Sequence, residues 1–388
     1  MTNSSIIVSG RVSPGFERVK QAFETLFAQY GEIGAAVSLV HRGETVVNLW
    51  AGTRDKAGQQ PWLESTRLNL FSVNKAIVAV AVLQLVERGV LTLEQTVADV
   101  WPEFAQSGKQ DITIRQVLTH RSGVNAFHPK VPDEDIYDWQ AITRWVAEET
   151  PWWTPGEEQG YSPLIYGWLL GEVVRRASGL PSFNDYVQQY IAAPLGLSWA
   201  FGLREDELAA IADVVPLKSP GGHKRNGLLM DAMLNDPRGL TNKAFTNPPS
   251  MMIGTNQPPW RQAQVPAANG HATAADMARF YGALANLSDE RLLSAGVRAW
   301  CWQEQTHSEH DRILQCPISL SLGFMRILPD QVNSQQFFCH PGAGGSLGYG
   351  DASENFGFGY ASRSMGLSIT MDERAELLLQ AVYQDLRS

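Results

Sequence analysis

LNLFSVNKAIVAVAVLQLVERG, residues 68–89, predicts a buried helix that ends at a glycine. Two of its polar side chains, Ser72 and Lys75, stand at the start of this helix, where neither suits an apolar core. Positions i and i+3 share one face of a helix, so the Lys75 amine can reach the Ser72 hydroxyl. The spacing therefore raises the question of a reactive pair at the mouth of a buried helix.

A serine and a lysine in this position can carry out nucleophilic catalysis. A serine hydroxyl is a poor nucleophile until a base takes its proton, and lysine can be that base where burial lowers its pKa. The apolar run after Lys75 would supply the burial, and the helix N-terminus offers N–H groups to an oxyanion. The structural alternative is an N-cap serine followed by a lysine that reaches solvent, and the S-x-x-K spacing alone leaves both open.

A second candidate nucleophile is Ser346, which stands in the sequence GGSLG at residues 344–348. This matches G-x-S-x-G, a motif that carries a nucleophile only where a strand precedes it and a helix follows it. Here a glycine-rich stretch follows and then a strand-like run, so no helix is predicted to begin at this point. We therefore predict that Ser346 is a turn residue.

The composition argues against several classes of partner. The 388 residues carry a net charge of −9, whereas nucleic acids and anionic membranes require a concentrated basic face. The run IVAVAVLQLV is about half as long as a membrane span, and the N-terminal stretch lacks the pattern of a secretory signal. Three cysteines and eight histidines without metal-binding spacing predict free thiols and no metal. We expect a cytoplasmic protein that binds neither nucleic acid nor membrane.

Strand patterns occur at both ends of the chain, and helical patterns occupy the middle. The terminal patterns are a helix at 14–31, a β-hairpin at 35–52, β-like runs at 322–328, 335–342 and 355–365, and a helix at 371–387. The simplest arrangement is one antiparallel sheet built from both ends, with a helical insertion. We expect an α/β domain from residues 1–90 together with 310–388, and a mainly helical inserted domain from 91–309. Long Gly-, Pro- and Asn-rich loops at about 217–262 are typical of lids or binding loops.

Several further stretches occur in a characteristic order. They are LFSVNK (70–75), GVLTLEQTVADVWPEF (89–104), LTHRSGV (118–124), PGEEQGYSPLIYGWLLGEVVRRASG (155–179) and HPGAGGSLGYGD (340–351). Together they resemble the serine β-lactamase superfamily, and within it the class C β-lactamase-like carboxylesterases, or family VIII esterases. The resemblance covers residues 15 to 385. It implies an α+β, β-lactamase/transpeptidase-like fold: an antiparallel sheet flanked by helices plus an inserted mainly helical domain, with the active site between them.

The resemblance also implies roles for individual residues. Ser72 would be the acylated nucleophile, Lys75 its partner and Tyr161 a second general base, with no cofactor or metal. The oxyanion hole would consist of the N–H groups of Ser72 and Ala343. The positions implied for substrate binding are His340, Gly342 and Pro163. The sequence leaves open whether Lys75 or Tyr161 takes the serine proton.

Two departures from the β-lactamase pattern bear on the substrate. Pro163 stands two residues after the tyrosine, where β-lactamases have an asparagine that binds the amide side chain of the lactam. His340-Pro341-Gly342 stands where the family has Lys-Thr-Gly, so the cation and hydroxyl for a substrate carboxylate are replaced by an imidazole. Both departures resemble the esterase branch.

The expected function is therefore a serine hydrolase that cleaves small-molecule carboxylic esters through an acyl-enzyme on Ser72. The alternatives are an acyltransferase, or a hydrolase of amides, β-lactams or D-peptides, that forms the same acyl-enzyme. A non-catalytic binding homologue is a further alternative from a different class, and the intact set of Ser72, Lys75 and Tyr161 argues against it.

Overall fold

The strands of the protein come mainly from the two ends of the chain. The computed structural model describes residues 6–218, 227–248 and 254–388. The strands are β1 (Val8–Val12), β2 (Gly34–His41), β3 (Glu44–Gly52), β4 (Leu68–Asn69), β5 (Val215–Pro216), β6 (His271–Ala272), β7 (Thr306–Ser308), β8 (Ile318–Leu320), β9 (Phe337–Pro341), β10 (Leu347–Asp351), β11 (Phe356–Ser362) and β12 (Ser364–Met365).

Helices lie between and around these strands. The longer ones are α1 (Glu17–Gln29), α2 (Lys75–Glu87), α3 (Trp139–Glu148), α4 (Ile165–Ser178), α5 (Gly227–Asn235), α6 (Ala274–Ala285) and α7 (Glu373–Leu386). Shorter helical segments are Phe71–Asn74, Val97–Val100, Pro102–Phe104, Ile114–Leu118, Asp133–Tyr137, Phe183–Val187, Gln188–Ala192, Ala193–Leu195, Glu205–Ala210, Leu240–Thr246, Pro258–Gln262, Ala295–Arg298 and Ala299–Cys301. In the part of the chain that is described, no helix is both long and apolar enough to cross a bilayer.

The central sheet joins strands from both termini. Within the described residues it has six strands in the order β1-β3-β2-β11-β10-β9, and every neighbouring pair is antiparallel. The predicted hairpin at 35–52 is present, and Arg42 and Gly43 at its tip have φ of 52° and 85°, as a tight hairpin turn requires. The predicted fold class, an antiparallel sheet flanked by helices within a β-lactamase-like α+β fold, is confirmed.

Both faces of the sheet are covered, which explains the apolar character of its central strands. On β2, Val37 and Leu39 belong to one hydrophobic core together with buried residues of α1 and α7. Ala36 points to the opposite face and belongs to a second core that includes residues of α2, α4 and α6. Because side chains alternate along a strand, a strand buried on both faces is almost continuously apolar.

Two strands of the central sheet were not predicted, for reasons that lie in their packing. β1 is an edge strand paired only with β3, and most of its residues are exposed, so it lacks an alternating apolar pattern. β10 has the sequence LGYGD, which strand propensity disfavours. A Cβ at Gly348 or Gly350 would lie 2.1 or 2.5 Å from the ring of Tyr281 or Phe338, so the glycines make room for these rings.

One predicted strand is absent. In the run 322–328 only Met325 takes part in bridges, to Leu320 and Cys339. Gly323 has φ of +85°, which interrupts an extended conformation. The predicted terminal helices are present as α1 and α7.

The helix α6 lies inside the segment predicted as the helical insertion, yet it packs directly on β11 and β2. The division into 1–90 with 310–388 and 91–309 stays a prediction. We propose that α6 belongs to the same domain as the sheet and forms part of the helical layer on one of its faces.

The close contact between α6 and β11 gives a test of this packing. A Cβ at Gly357 would lie 1.9 Å from the Gly282 nitrogen and 2.4 Å from the Ala278 oxygen. Gly357→Val should therefore lower the free energy of unfolding by about 3 kcal/mol, because it forces the helix from the sheet. Urea denaturation followed by circular dichroism measures this. Gly296→Ala, where a Cβ meets nothing within 4 Å, is the control. Equal midpoints for the two variants would contradict the packing argument.

Candidate active site

Ser72 lies in a short 3₁₀ helix, Phe71–Asn74, immediately before α2 begins at Lys75. The Lys75 Nζ atom is 3.0 Å from the Ser72 Oγ atom. The preceding residue, Phe71, has φ of +47°, an unfavourable conformation for a side chain of this size. Such conformations persist only where the surrounding structure imposes them, and they concentrate at functional sites.

The Lys75 side chain is fully buried and held by neutral groups. Its Nζ atom is 2.8 Å from the Pro163 carbonyl oxygen and 3.3 Å from the Ala267 carbonyl oxygen. Among the ion pairs of the described residues, none involves Lys75. Burial therefore lowers the pKa of the Lys75 amine well below its ordinary value, because the charged form loses its hydration without gaining a carboxylate.

Tyr161 completes a group of three reactive side chains. The Lys75 Nζ atom lies 4.8 Å from the centre of the Tyr161 ring, and the Ser72 side chain is near enough to the Tyr161 hydroxyl to offset part of the effect of burial on the pKa of the phenol. Burial raises the pKa of the Tyr161 phenol above its ordinary value, so the hydroxyl stays protonated. The structure thus brings together Ser72, Lys75 and Tyr161, which are far apart in the sequence.

Two buried side chains hold the main chain next to Tyr161. The Asp311 carboxylate accepts the Tyr161 N–H at 2.9 and 3.0 Å, and His120 Nδ1 accepts the Ser162 N–H at 3.0 Å. From the sequence, neither His120 nor Asp311 was assigned a role in the site. No local signal marks Asp311, because it is one of several polar residues in the run QEQTHSEHDR.

The backbone around Ala343 presents one free donor. The N–H groups of Gly342, Gly344 and Gly345 all donate to backbone carbonyls. Those of Ala343 and Ser72 have no acceptor among the described residues, and both residues line the same cavity. Two convergent free N–H groups can bind an oxyanion, provided that both reach the same oxygen.

The cavity beside Ser72 has a volume of about 270 Å³, and its lining is mostly apolar. Part of the lining comes from the segment 217–262, where the prediction of long loops is wrong for much of the described part: it contains α5 and the short helices Leu240–Thr246 and Pro258–Gln262. Residues 219–226 and 249–253 of this segment fall outside those described. The lining residues from this region are Leu229, Met230, Met233, Phe245, Thr255 and Trp260. A further group, unexpected from the sequence, is Met365, Gly366, Leu367, Ser368 and Ile369. Among all the described lining residues, none carries a charge.

Of the three residues predicted for substrate binding, one lies at the cavity and two do not line it. Pro163 lines the cavity, whereas His340 and Gly342 are not among the described lining residues. The His340 side chain is buried, with its ring 6.1 Å from the Tyr161 ring. Burial, with a smaller contribution from Lys75, lowers the pKa of His340 to about 3, so its imidazole is neutral.

Ser346 lies apart from this chemistry. It follows the turn at 343–345 and directly precedes strand β10, so no helix opens there. Its Oγ atom accepts the Ser362 N–H at 3.3 Å. In the part of the chain that is described, no group of three or more His, Cys, Asp or Glu side chains could hold a metal ion.

Comparisons with known proteins identify the family to which the chain belongs. The chain is 27% identical over 373 residues to Esterase/beta-lactamase LipL of Mycobacterium tuberculosis, a match that spans 95% of this chain and 86% of that protein. The crystal structure of a family VIII carboxylesterase superposes with a TM-score of 0.88 and 31% identity, over 98% of this chain and 100% of that one. A penicillin-binding protein homologue from Caulobacter crescentus superposes with a TM-score of 0.87 and 32% identity, over 98% and 100%. The family model for beta-lactamase matches residues 19–383, and the chain therefore belongs to the beta-lactamase family.

Proposed function

We propose that this protein is a carboxylesterase that works through an acyl-enzyme on Ser72. The observation that carries the proposal is Ser72, which lies beside Lys75 and Tyr161 and lines a largely apolar cavity whose described lining residues carry no charge. The relatives named as esterases support the same reaction class.

Lys75 is the base that takes the serine proton. A neutral amine has two N–H donors and one lone pair. The carbonyl oxygens of Pro163 and Ala267, at 2.8 and 3.3 Å, accept the two donors. The lone pair is then left for the Ser72 hydroxyl at 3.0 Å. Because burial favours the neutral form of the amine, it is available as a base at neutral pH.

The reaction then follows from the positions of these groups. The Ser72 oxygen bonds to the ester carbonyl carbon while its proton passes to Lys75. The N–H groups of Ser72 and Ala343 stabilise the negative carbonyl oxygen. The ester C–O bond breaks, and the departing alkoxide takes a proton from the Tyr161 hydroxyl, which Lys75 restores. A water molecule deprotonated by the same pair then releases the acid and regenerates Ser72.

The cavity favours a neutral, apolar ester of modest size. Ligand sites are lined mainly by apolar groups with a few polar ones that orient the substrate. A substrate carboxylate would find no cation among the described lining residues, and Pro163 offers no side-chain hydrogen bond to an amide. The expectation of a cytoplasmic enzyme whose partner is a small-molecule ester remains part of this proposal.

The nucleophile is tested by comparing two serines. Ser72→Ala should reduce kcat for p-nitrophenyl butyrate by at least about 1,000-fold, because the acylated atom is lost. Ser346→Ala should keep most of the activity, because its hydroxyl only accepts a backbone N–H. Steady-state release of p-nitrophenol measures both variants. Retained activity in Ser72→Ala would exclude the proposed mechanism.

The preference for neutral substrates is tested with two esters of similar size. We expect kcat/KM for p-nitrophenyl hemisuccinate to be roughly 100-fold lower than for its methyl ester, because the cavity would bury an unpaired carboxylate. The matched methyl ester separates the effect of charge from that of chain length. Equal values would mean that a cation reaches the cavity.

The protonation state of the Lys75 amine is tested through the pH dependence of the free energy of unfolding. Its folded pKa lies below the unfolded value, so the unfolded chain binds more protons and wild-type stability falls as pH is lowered from 10 to 7. Lys75→Met removes this cost and should be inactive yet roughly 1 kcal/mol more stable at pH 7. The difference should shrink towards pH 10 in urea denaturation.

Lys20→Met, at a half-exposed lysine on α1, is the matched control and should leave stability nearly unchanged. A difference in stability between Lys75→Met and the wild type that stays constant from pH 7 to pH 10 would show that the pKa of the buried amine is not lowered.

A further inference from the structure

Asp311 is a fully buried carboxylate without a cationic partner. Its side chain has no exposed surface, and no arginine, lysine or histidine among the described residues forms an ion pair with it. Burying an unpaired charge is costly, and burial accordingly raises the pKa of Asp311. A carboxylate in such a position is explained by its hydrogen bonds, because an apolar side chain could not accept the backbone N–H groups around it.

The hydrogen bonds of Asp311 join two distant segments. Its Oδ1 atom accepts the N–H groups of Ile313 and Leu314 at 3.0 and 2.9 Å, which closes its own turn. Both oxygens accept the Tyr161 N–H, at 2.9 and 3.0 Å, and Oδ2 also accepts Gln159 Nε2 at 3.3 Å. The carboxylate therefore anchors the main chain of the tyrosine in the active site.

The main chain at Tyr161 is held from a second side as well. His120 Nδ1 accepts the N–H of the next residue, Ser162, and the His120 ring packs on the Tyr161 ring at 4.9 Å. These contacts fix the main chain on both sides of the Tyr161 Cα atom and pack one face of its ring, and so they determine where the phenol lies relative to Ser72.

We propose that Asp311 is a positioning residue, which holds the Tyr161 main chain so that the phenol stays on Ser72 during proton transfer. The inference rests on the proposed function. The negative charge of Asp311 adds to burial in raising the pKa of Tyr161, which keeps the phenol protonated as a donor to the leaving group.

Asp311→Asn is the single substitution that tests the positioning role most directly. The side chain keeps its shape, but an NH₂ group replaces one carboxylate oxygen and confronts the N–H groups that both oxygens now accept. We expect kcat for p-nitrophenyl butyrate to fall roughly 10-fold to 100-fold, with KM within about 2-fold, because a small displacement of the phenol slows the chemistry more than binding.

Asp351→Asn is the matched control. Asp351 is equally buried and accepts the N–H groups of Ser353 and Glu354 together with the Tyr383 hydroxyl, and it lies at the far end of β10 from Leu347. We expect a similar loss of stability in urea but a change in kcat of less than about 2-fold. An equal loss of kcat in the two variants would show that Asp311 is only structural.

A double-mutant cycle shows whether Asp311 acts through Tyr161. In a Tyr161→Phe background, Asp311→Asn should lower kcat by less than about 2-fold, because the group that it positions is already gone. Multiplicative effects would overturn the proposal. Asp311→Ser, which keeps one oxygen acceptor, is measured in the same cycle with the same expected outcome, and it decides the question if the asparagine variant does not fold.

Ser72→Ala, measured in parallel, separates the two levels of inference. An inactive Ser72→Ala beside a fully active Asp311→Asn would overturn the positioning role alone. Activity retained in Ser72→Ala would overturn the proposed function and the positioning role together.

Discussion

The buried amine of Lys75 is the constraint on which the rest of the site depends. An amine without hydration and without a carboxylate is stable only if neutral acceptors surround it. The carbonyl oxygens of Pro163 and Ala267 meet that need, and each belongs to a segment far from α2 in the sequence. Three parts of the chain must therefore meet around one nitrogen, so the catalysis that we propose depends on completion of the fold.

The turn at 343–345 depends on a second buried polar group. Arg374, at the start of α7, donates to the Gly344 carbonyl at 2.5 Å, and it forms ion pairs with Glu32 and Asp372 at 3.1 and 2.8 Å. Buried ion pairs contribute little net stability, but they fix geometry where every partner is satisfied. Here the network connects the turn beside Ala343 with Glu32, the residue shortly before strand β2 of the sheet.

Much of the fold could be predicted because local patterns and tertiary packing agree. The hairpin at 35–52, α1, α2 and α7 all follow from periodicity and from glycine positions. β10 could not be predicted, because its glycines are explained only by the rings of Tyr281 and Phe338 on neighbouring elements. The run 322–328 has a strand-like composition but is interrupted by the left-handed Gly323. In both cases a contact or backbone conformation outweighs propensity.

The sequence by itself determined that Ser72 and Lys75 can meet, since their i, i+3 spacing at the start of a helix is a local property. It also indicated Tyr161, through an ordered set of motifs that resemble one family. Only the tertiary structure decided the rest. It gave the carbonyl partners of Lys75, the carboxylate of Asp311 behind Tyr161 and the uncharged cavity lined by residues 365–369. These features depend on contacts between segments that are more than 80 residues apart, and no local pattern in a sequence records which distant backbone will meet a given side chain.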